Sequence, residues 1–340
     1  MLIGIVFVII FLSILILVHE LGHFFSAKKF GLLIEEFGFG LPPKIWGKKI
    51  GETNYSINTL PFGGFVKIFG ENREENSGVL PERSFGNLKI WQRAVIISSG
   101  VIMNFLLGWI SISIVFAIGI PQAVIITNIQ ENSPAEIIGL QGGDKIVGFN
   151  KTVDFIEYTN SNRGKTINLK IERAGEILEF QVIPRIDPPI GQGALGINLT
   201  EAGLPKQNII MSFWEGLKAS VEIVKTIFTS LFDLIVKAFI GKASFESVAG
   251  PIGIVKLTAQ ASNLGLIYLL QLLGLISLNL AVINIFPFPA LDGGRLVFLA
   301  IEKIKGSPTN HKFERIVNSL GLALLIFLMI VITIKDILRF

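Results

Sequence analysis

The sequence predicts a polytopic α-helical membrane protein with four transmembrane helices, a membrane-associated β-rich loop and one extracytoplasmic soluble module. Hydrophobic residues make up 51% of the 340 residues and charged residues only 16%, whereas soluble domains carry about 25% charged residues. Four apolar segments each approach the roughly 20 residues that span a bilayer. Polar or alternating stretches separate these segments, which leaves room for the loop and the module.

The composition also excludes several kinds of chemistry. Cysteine is absent, so disulfides, thiolate metal ligands and a thiol nucleophile are excluded. The net charge of +4 is small for a protein of this length, and we expect no nucleic-acid partner. Only three histidines occur, which makes the position of each one informative.

The first predicted transmembrane helix covers residues 1–30 and carries an H-E-x-x-H motif near its end. His19 and His23 are four residues apart, so they share one face of a helix, and Glu20 lies at the edge of that face. In this motif two histidines bind zinc and the glutamate is the general base. On its own the motif is only suggestive, because two histidines at a helix end could simply be interfacial polar residues. Lys28 and Lys29 follow, and basic residues favour the cytoplasmic side.

Residues 31–89 are predicted to form a β-rich loop that dips into the membrane, followed by a polar cytoplasmic loop. Short alternating runs broken by Gly and Pro indicate strands and hairpins, and such strands must pack on helices or a cavity. Residues 90–119 form the second predicted transmembrane helix. We interpret its Asn104 as a packing hydrogen bond rather than a functional group, since intramembrane polar groups need a partner in either case.

Residues 120–200 have the alternating pattern of a soluble β-rich module. The pattern N-S-P-A-x-x-x-G-L-x-x-G-D-x-I, which begins at Asn132, resembles a PDZ domain, with its strands in a permuted order. PDZ domains bind peptides by strand addition. Whether this groove binds a peptide tail or only restricts access to the membrane is left open by the sequence.

Residues 201–262 are predicted to be an amphipathic interfacial region. Apolar and charged side chains interleave over residues 212–240, which disfavours a spanning helix and favours one lying in the membrane interface. A helix packed on the soluble module is the alternative. Residues 247–254 are predicted to turn back towards the membrane.

Residues 263–300 contain the third predicted transmembrane helix and end in an L-D-G-G sequence. Two prolines bend the chain there, and Gly293 and Gly294 permit a close turn. Residues 301–316 form a polar cytoplasmic loop, and residues 317–340 form the fourth predicted transmembrane helix. This topology brings Asp292 to the same cytoplasmic depth as the H-E-x-x-H motif and places the soluble module outside the cytoplasm.

A catalytic zinc takes three protein ligands and leaves one position for water, so the motif needs a third ligand. His311 lies in the predicted cytoplasmic loop, and Asp292 is the acidic residue at matching membrane depth. The sequence therefore predicts a Zn²⁺ site of His19, His23 and Asp292, with Glu20 transferring protons. Asn284 could hydrogen-bond an extended substrate, or it could be a helix cap or packing amide.

Together these motifs resemble the bacterial site-2 protease family, which includes the regulator of sigma-E protease. The resemblance rests on H-E-x-x-H, on residues 38–40 (G-F-G), 61–67 (P-F-G-G-F-V-K), 250–253 (G-P-I-G) and 284–294 (N-I-F-P-F-P-A-L-D-G-G), and on the PDZ-like module. It implies the three zinc ligands named above, Glu20 as catalytic acid/base and Asn284 as a substrate-positioning residue. It also implies that residues 34–70 present the substrate as an added strand.

The resemblance implies an intramembrane zinc metalloprotease of the bacterial plasma (inner) membrane, with its active site near the cytoplasmic side. Its expected substrates are single-pass membrane proteins of the anti-sigma factor or remnant signal peptide type, cut within their transmembrane segments. The alternative from another class is a non-catalytic membrane PDZ adaptor that binds peptide tails. A zinc-dependent transporter is a third reading, but the second and fourth spans offer few polar residues for a path.

Overall fold

The computed structural model describes residues 2–71, 81–173, 175–242 and 249–339. The chain forms two compact units, one of residues 1–115 and 210–340 and the other of residues 116–209. In chain order the elements are α1 (Leu2–Lys29), β1 (Ile34–Ile50), β2 (Thr53–Ile68), α2 (Ile90–Ile118), β3 (Ile120–Ile129), α3 (Pro134–Ile137), β4 (Lys145–Ile146), α4 (Thr152–Ser161), β5 (Ile167–Arg173), β6 (Glu176–Val182), β7 (Ile197–Leu204), α5 (Ile209–Phe239), α6 (Pro251–Leu264), α7 (Leu266–Ile285), α8 (Asp292–Lys305) and α9 (His311–Arg339).

Four helices of the described chain are long and apolar enough to cross a membrane. They are Val8–Lys29 within α1, Ile90–Ile118, Leu266–Ile285 and His311–Leu338. Their mean hydropathies lie between 2.2 and 2.6, as expected for segments whose side chains face lipid on most sides. The described residues thus contain four helices with the length and composition of membrane spans, which is the predicted number.

The β-rich loop forms one antiparallel pair of long strands, β1 and β2, that folds back on itself. Residues 44–50 of β1 pair with residues 53–58 of β2 across the hairpin turn. Phe37 pairs with Val66 on one side and with Tyr55 on the other, so the first part of β1 lies inside the sheet. Residues 64–68, here called the edge segment, pair on one side only among the described strands. The predicted strands are present, and the sheet has a free edge at this segment.

An apolar core joins this sheet to the helices at the lysine-bearing end of α1. Its buried members come from α1, both strands, α2, α8 and the connections after α1 and before α2: Phe24, Ala27, Leu32, Ile34, Ile68, Phe85, Ile96, Ile97 and Leu299. Because these residues surround the H-E-x-x-H turn, the core fixes the sheet and α8 against it.

The chain breaks between α7 and α8, and the L-D-G-G sequence begins a helix instead of forming the predicted turn. Proline lacks an N–H group and disfavours helical conformation in the preceding residue, so α7 ends before Pro287 and Phe286 is extended. The N–H of Leu291 then donates to the carbonyl of Phe288, which closes a turn just before α8. Asp292 then starts α8, with Gly293 and Gly294 in its first turn. A Cβ on Gly294 would lie 2.8 Å from the carbonyl carbon of Phe288, so the glycines allow a close approach rather than a turn.

The predicted turn at residues 247–254 is also wrong over its described residues, 249–254. Residues 247 and 248 lie outside the described residues, and α6 begins at Pro251, with Gly250 as its N-terminal cap. The backbone N–H groups of Gly250 and Gly253 each donate to Oδ2 of Asp336 on α9, at 2.9 Å. Asp336 is buried, and its carboxylate satisfies the free N–H groups of the first helical turn.

The amphipathic helix α5 packs partly against α2. The indole N–H of Trp109 donates to the carbonyl of Phe213 at 2.9 Å, and a Cβ on Gly216 would meet the Ser113 side chain and Cα, the latter at 2.9 Å. Much of the remaining apolar surface of α5 is exposed. The interfacial placement of this helix stays a prediction.

The second unit is a five-stranded antiparallel sheet in the order β6-β5-β4-β3-β7. Alternate residues of β5 are buried, because successive side chains of a strand point to opposite faces. Its core consists of Val124, Ile126, Ala135, Leu140, Ile146, Phe155, Ile167, Leu169, Ile171, Val182 and Leu195. The short helix α3 follows Ser133, whose side chain accepts a hydrogen bond from the N–H of Glu136. Ala174, between β5 and β6, lies outside the described residues.

Asp144 organises the turn before β4 and provides a test of this unit's stability. Its carboxylate is 1% exposed and accepts hydrogen bonds from Nε and Nη2 of Arg173 at 2.7 Å and from the N–H of Gln141 at 2.8 Å. Burial alone raises the pKa of Asp144, but the hydrogen bonds from Arg173 and Gln141 outweigh it and hold the pKa below its ordinary value. This stabilisation is therefore present above the unfolded pKa of about 3.9 and is lost as the pH falls through the lower folded pKa.

We expect Asp144→Asn to destabilise this unit by roughly 1.5–3 kcal/mol at neutral pH, the usual range for hydrogen bonds to a charged group. Hydrogen exchange of β3 to β5 in the full-length protein measures this change. The control is Glu179→Gln, which removes an exposed pair with Lys170 and should change stability by less than about 1 kcal/mol. Equal protection in both variants would contradict the assignment.

Candidate active site

Three donor atoms converge where α1 meets the start of α8. Nε2 of His19 lies 3.3 Å from Oδ2 of Asp292, Nε2 of His23 lies 3.5 Å from the same oxygen, and the two Nε2 atoms are 3.3 Å apart. The three side chains are between 12% and 14% exposed. The structure thus brings together the two histidines of the motif and the aspartate that lies 269 positions after His23 in the sequence.

Helix α2 packs closely against the motif through small residues. A Cβ on Gly22 would lie 2.7 Å from the carbonyl carbon of Ser99, and one on Gly100 would lie 2.7 Å from Cε1 of His19. The hydroxyls of Ser26 and Ser99 are 2.8 Å apart and hydrogen-bonded. Small residues permit such close helix packing in membranes, so Gly22, Ser99 and Gly100 allow α1 and α2 to approach each other closely here.

The second ring nitrogen of each histidine faces α2. Nδ1 of His23 donates to the carbonyl oxygen of Ile96 at 2.9 Å. Nδ1 of His19 lies 3.2 Å from Nδ2 of Asn104, whose side chain is fully buried. Asn104 is therefore a direct neighbour of the site and more than the packing amide that the sequence suggested.

Two ion pairs hold α8 so that Asp292 faces the histidines. Arg93 of α2 makes a bidentate pair with Glu302, at 3.0 and 2.5 Å, and the two side chains are 7% and 12% exposed. Arg295 pairs with Glu71, which follows the edge segment. The spacing of Asp292, Arg295 and Glu302 puts them along one face of α8, so this face joins the site to α2 and to the β-sheet.

A cavity of about 190 Å³ adjoins the three donor atoms. Glu20 lines it, together with side chains of the edge segment, Glu71 and Arg295. Gly64 of the edge segment lies so close to the motif helix that a Cβ there would be 3.1 Å from Cγ of Glu20. The free edge of the sheet and the motif glutamate thus share one cavity.

A larger cavity of about 600 Å³ is lined by α8, the first part of α9, α2 and the segments near residues 70 and 85. It includes Arg93, Glu302 and His311, and it shares Glu71 and Arg295 with the smaller cavity. Its lining is rich in charged groups, so water can reach the ion pairs that flank the site.

The remaining predicted residue, Asn284, is not brought into the site. It lies near the C-terminal end of α7 and is half-buried. Within the described chain its side chain makes no hydrogen bond, and it is not among the residues that line the smaller cavity. His311, the third histidine, begins α9 and lies away from the donor cluster.

The donor set fits a zinc ion. Zinc binds imidazole nitrogen and carboxylate oxygen at about 2.0–2.2 Å in a tetrahedral arrangement, so two such donors lie about 3.3–3.5 Å apart. The observed separations of 3.3, 3.3 and 3.5 Å match this spacing. In addition, Oδ2 of Asp292 is buried and takes no hydrogen bond from the described part of the chain. A buried carboxylate oxygen without a donor calls for a cation.

The comparisons with known proteins agree with this fit. The chain matches the sequence profile of Peptidase family M50 over residues 7–328. A provisionally named zinc metalloprotease of Clostridium acetobutylicum is 36% identical over 342 aligned residues, covering 98% of this chain and 97% of the relative. The regulator of sigma-E protease RseP of Escherichia coli K12 is 29% identical, with 94% of this chain and 95% of RseP covered. The regulator of sigma-W protease RasP of Bacillus subtilis is 29% identical, with 98% of each chain covered.

Spanning helices and a buried histidine–aspartate donor set define an integral membrane metalloprotease. The chain belongs to Peptidase family M50, because the family match covers most of its length. It is a zinc metalloprotease and an inner-membrane protein, and the resemblance to site-2 proteases is confirmed. The enzymatic reading is confirmed over the adaptor reading.

One solved structure of a PDZ domain is a weak match to part of the chain. The PDZ domain of an SdrC-like protein from Listeria monocytogenes covers 23% of this chain and 86% of its own chain, at 22% identity and a TM-score of 0.21. A TM-score of this size does not establish a shared fold. The PDZ assignment therefore rests on the sequence pattern and stays a prediction.

Proposed function

We propose that this protease hydrolyses peptide bonds within transmembrane segments of single-pass membrane proteins of the anti-sigma factor or remnant signal peptide type. The observation that carries the proposal is the placement of His19, Glu20 and His23 on α1, a helix long and apolar enough to span a membrane, beside the free edge of a sheet. A soluble peptidase would have no need to hold these groups on such a helix. The names of the relatives RseP and RasP, which refer to the regulation of sigma factors, support the same substrate class.

In this proposal His19, His23 and Asp292 hold Zn²⁺. Zinc bound there supplies a Lewis acid that polarises a carbonyl and makes water a better nucleophile near neutral pH. The histidines contribute neutral nitrogens and Asp292 contributes one negative charge. The hydrogen bond from His23 to Ile96 and the ion pairs of α8 orient the ligands, as outer hydrogen bonds do in other metal sites.

Glu20 is the proposed catalytic acid/base. It lines the same cavity as the three ligands, within reach of a water molecule there. Its carboxylate takes a proton from the water that attacks the scissile carbonyl carbon, and it then gives that proton to the amine nitrogen as the C–N bond breaks. The products are a carboxylic acid and an amine, which become a carboxylate and an ammonium group when the acid's proton moves to the amine, and Glu20 returns to its starting state.

The edge segment is the proposed binding surface for the substrate. A strand edge offers unpaired N–H and C=O groups that can pair with an added strand. Carbonyl groups inside a helix are already hydrogen-bonded, so a transmembrane helix must unwind before cleavage, and the edge segment can pair with the unwound chain. Asn284 is proposed to position this chain once it is bound.

We further propose that the active site lies near the cytoplasmic face and the PDZ-like unit outside the cytoplasm. Lys28 and Lys29 at the end of α1 support this orientation, since basic residues near spans favour the cytoplasm. A groove beside β7 is the proposed site for a peptide tail, because β7 forms an edge of its sheet. Cysteine-accessibility labelling of single-cysteine variants tests the orientation, and the native chain has no cysteine that would interfere.

Metal analysis and cleavage of a reconstituted single-pass substrate test the proposed site. The full-length protein should purify with stoichiometric zinc, lose cleavage on chelation and regain it when zinc is restored. His23→Ala should lose both zinc and cleavage, because it removes one of the three ligands. The matched control is His311→Ala, which changes the histidine outside the cluster and should keep both.

The outcomes separate the proposal from its rivals. If His23→Ala retains stoichiometric zinc, the proposed ligand set is wrong. Cleavage of soluble peptides, but never of a membrane-embedded segment, would contradict the proposed substrate class. Peptide binding to the soluble unit with no turnover of any membrane substrate would favour the adaptor role for that unit.

A further inference from the structure

The pattern of residues on α2 matches the pattern of histidines on α1. Ile96, Gly100 and Asn104 are spaced by four, so they share one face of α2. Ile96 offers a carbonyl to His23, Gly100 leaves space for both rings, and Asn104 contacts His19. One face of α2 therefore contacts both proposed ligands.

The two ring nitrogens of His19 make different contacts. Nε2 faces Asp292 and the other histidine. When a neutral imidazole binds a metal through Nε2, its proton is on Nδ1, and Nδ1 becomes a hydrogen-bond donor. His23 already meets this requirement, because its Nδ1 donates to the carbonyl of Ile96. His19 needs an acceptor in the same way.

The side chain of Asn104 carries that acceptor. Its Nδ2 lies 3.2 Å from Nδ1 of His19, while its Oδ1 is buried and has no hydrogen-bonding partner among the described residues. A half-turn of the amide exchanges the two atoms and points Oδ1 at Nδ1 of His19. An asparagine can thus donate to an unprotonated Nδ1 and accept from a protonated one.

The backbone of Asn104 is held in place from a third helix. The hydroxyl of Ser277 on α7 donates to the carbonyl oxygen of Asn104 at 2.7 Å, and both side chains are fully buried. The backbone of Asn104 is therefore anchored, and its side chain extends from that point in a fully buried setting beside His19.

We propose that Asn104 is a positioning residue for zinc, whose amide oxygen accepts the Nδ1–H of His19 and so fixes the ring with Nε2 towards the metal. The residue acts through His19 and does not touch the substrate. The proposal rests on the assignment of His19 as a zinc ligand in the proposed function. Loss of an outer hydrogen-bond partner of a metal ligand typically costs 10–100-fold in metal affinity or activity.

The test compares zinc affinities of full-length variants, measured by competition with a chelator of known affinity. Asn104→Leu has a similar volume and no acceptor, so we expect zinc affinity to fall about 10–100-fold. Asn104→Asp keeps an acceptor and should bind zinc within about threefold of wild type or more tightly, because a carboxylate partner raises the basicity of the histidine. The matched control is Ser113→Ala on the same helix, whose hydroxyl donates to the carbonyl of Trp109.

A second readout uses Co²⁺ in place of zinc, since its absorption spectrum reports ligand geometry. The Asn104→Leu spectrum should differ from wild type, and the Ser113→Ala spectrum should not. If Asn104 is only a packing residue, Asn104→Leu lowers the thermal stability but leaves zinc affinity and the spectrum unchanged, which overturns the proposal. If Asn104→Leu does not fold, Asn104→Asp decides, because a tenfold or larger loss of affinity there overturns the proposal.

His19→Ala separates failure of this proposal from failure of the proposed function. If His19→Ala keeps full zinc affinity, His19 is not a ligand and both proposals fall. If His19→Ala loses zinc while Asn104→Leu binds it normally, only the role of Asn104 is overturned.

Discussion

Replacing Glu20 with Gln is expected to lower the rate of peptide-bond cleavage by about 10²–10⁴-fold, the usual contribution of a general acid–base group. The amide has nearly the same shape as the carboxylate, but it cannot take the proton of the attacking water. Glu20 is not one of the three donor atoms of the cluster. The variant should therefore keep its zinc and its fold. Its loss of cleavage is measured by single-turnover cleavage of a reconstituted substrate.

Glu52→Gln is the control for this prediction. It makes the same chemical change in an exposed carboxylate at the hairpin turn, where Glu52 pairs with Arg83 at 2.5 Å, and cleavage should stay within about twofold of wild type because surface pairs contribute little. Natural substrates should accumulate uncut in cells that carry Glu20→Gln. Proteomics of the accumulating membrane fragments would therefore identify them. Undiminished cleavage by Glu20→Gln would remove Glu20 from the mechanism.

The parts of the fold that depend on local pattern could be predicted from the sequence. Hydropathy and length gave the four long helices, and alternation gave the strands β5 and β6, because burial on one face of a strand imposes a period of two. The convergence of Asp292 with His19 and His23 was also predictable, since topology fixes membrane depth. The break after α7 was placed near the right prolines, but the start of α8 was missed because two glycines favour a turn in isolation.

What the sequence could not provide were contacts between distant polar residues. Arg93 and Glu302 are 209 positions apart, and Glu71 and Arg295 are 224 apart. Nothing in the local sequence distinguishes these charged residues from solvent-exposed ones. Only the structure shows that Arg93 and Glu302 are largely buried, where each charge needs a partner. The spacing of Ile96, Gly100 and Asn104 was a usable signal, because it repeats the spacing of the two histidines on the facing helix.

These ion pairs matter because the third donor comes from a helix that starts only at Asp292. A helix that begins at its functional residue has no preceding turn to hold that residue in place. The two pairs on α8 and its buried Leu299 supply the anchoring from positions later in the helix. The site is therefore assembled from a close α1–α2 contact and a separately anchored α8.

The close α1–α2 contact leads to the second large effect, which we expect from Gly100→Ala. A Cβ there would lie 2.7 Å from Cε1 and 2.9 Å from Nδ1 of His19, and closer still to Nε2 of His23. Non-bonded carbon contacts are optimal at about 3.5–4.0 Å, so the methyl group must displace both rings or separate the helices. Either change moves the Nε2 atoms away from Asp292, and we expect loss of stoichiometric zinc and of cleavage.

Gly108→Ala is the matched control, since it makes the same substitution on the same helix two turns further along. Its Cβ would lie 2.5 Å from Cγ of Leu278, so overpacking against α7 should lower thermal stability by about 1–3 kcal/mol. It touches neither histidine, and zinc content should stay at the wild-type level. Zinc lost equally from both variants would mean that helix packing in general controls metal binding. Zinc lost from Gly100→Ala alone would locate the constraint at the face of α2 that contacts His19 and His23.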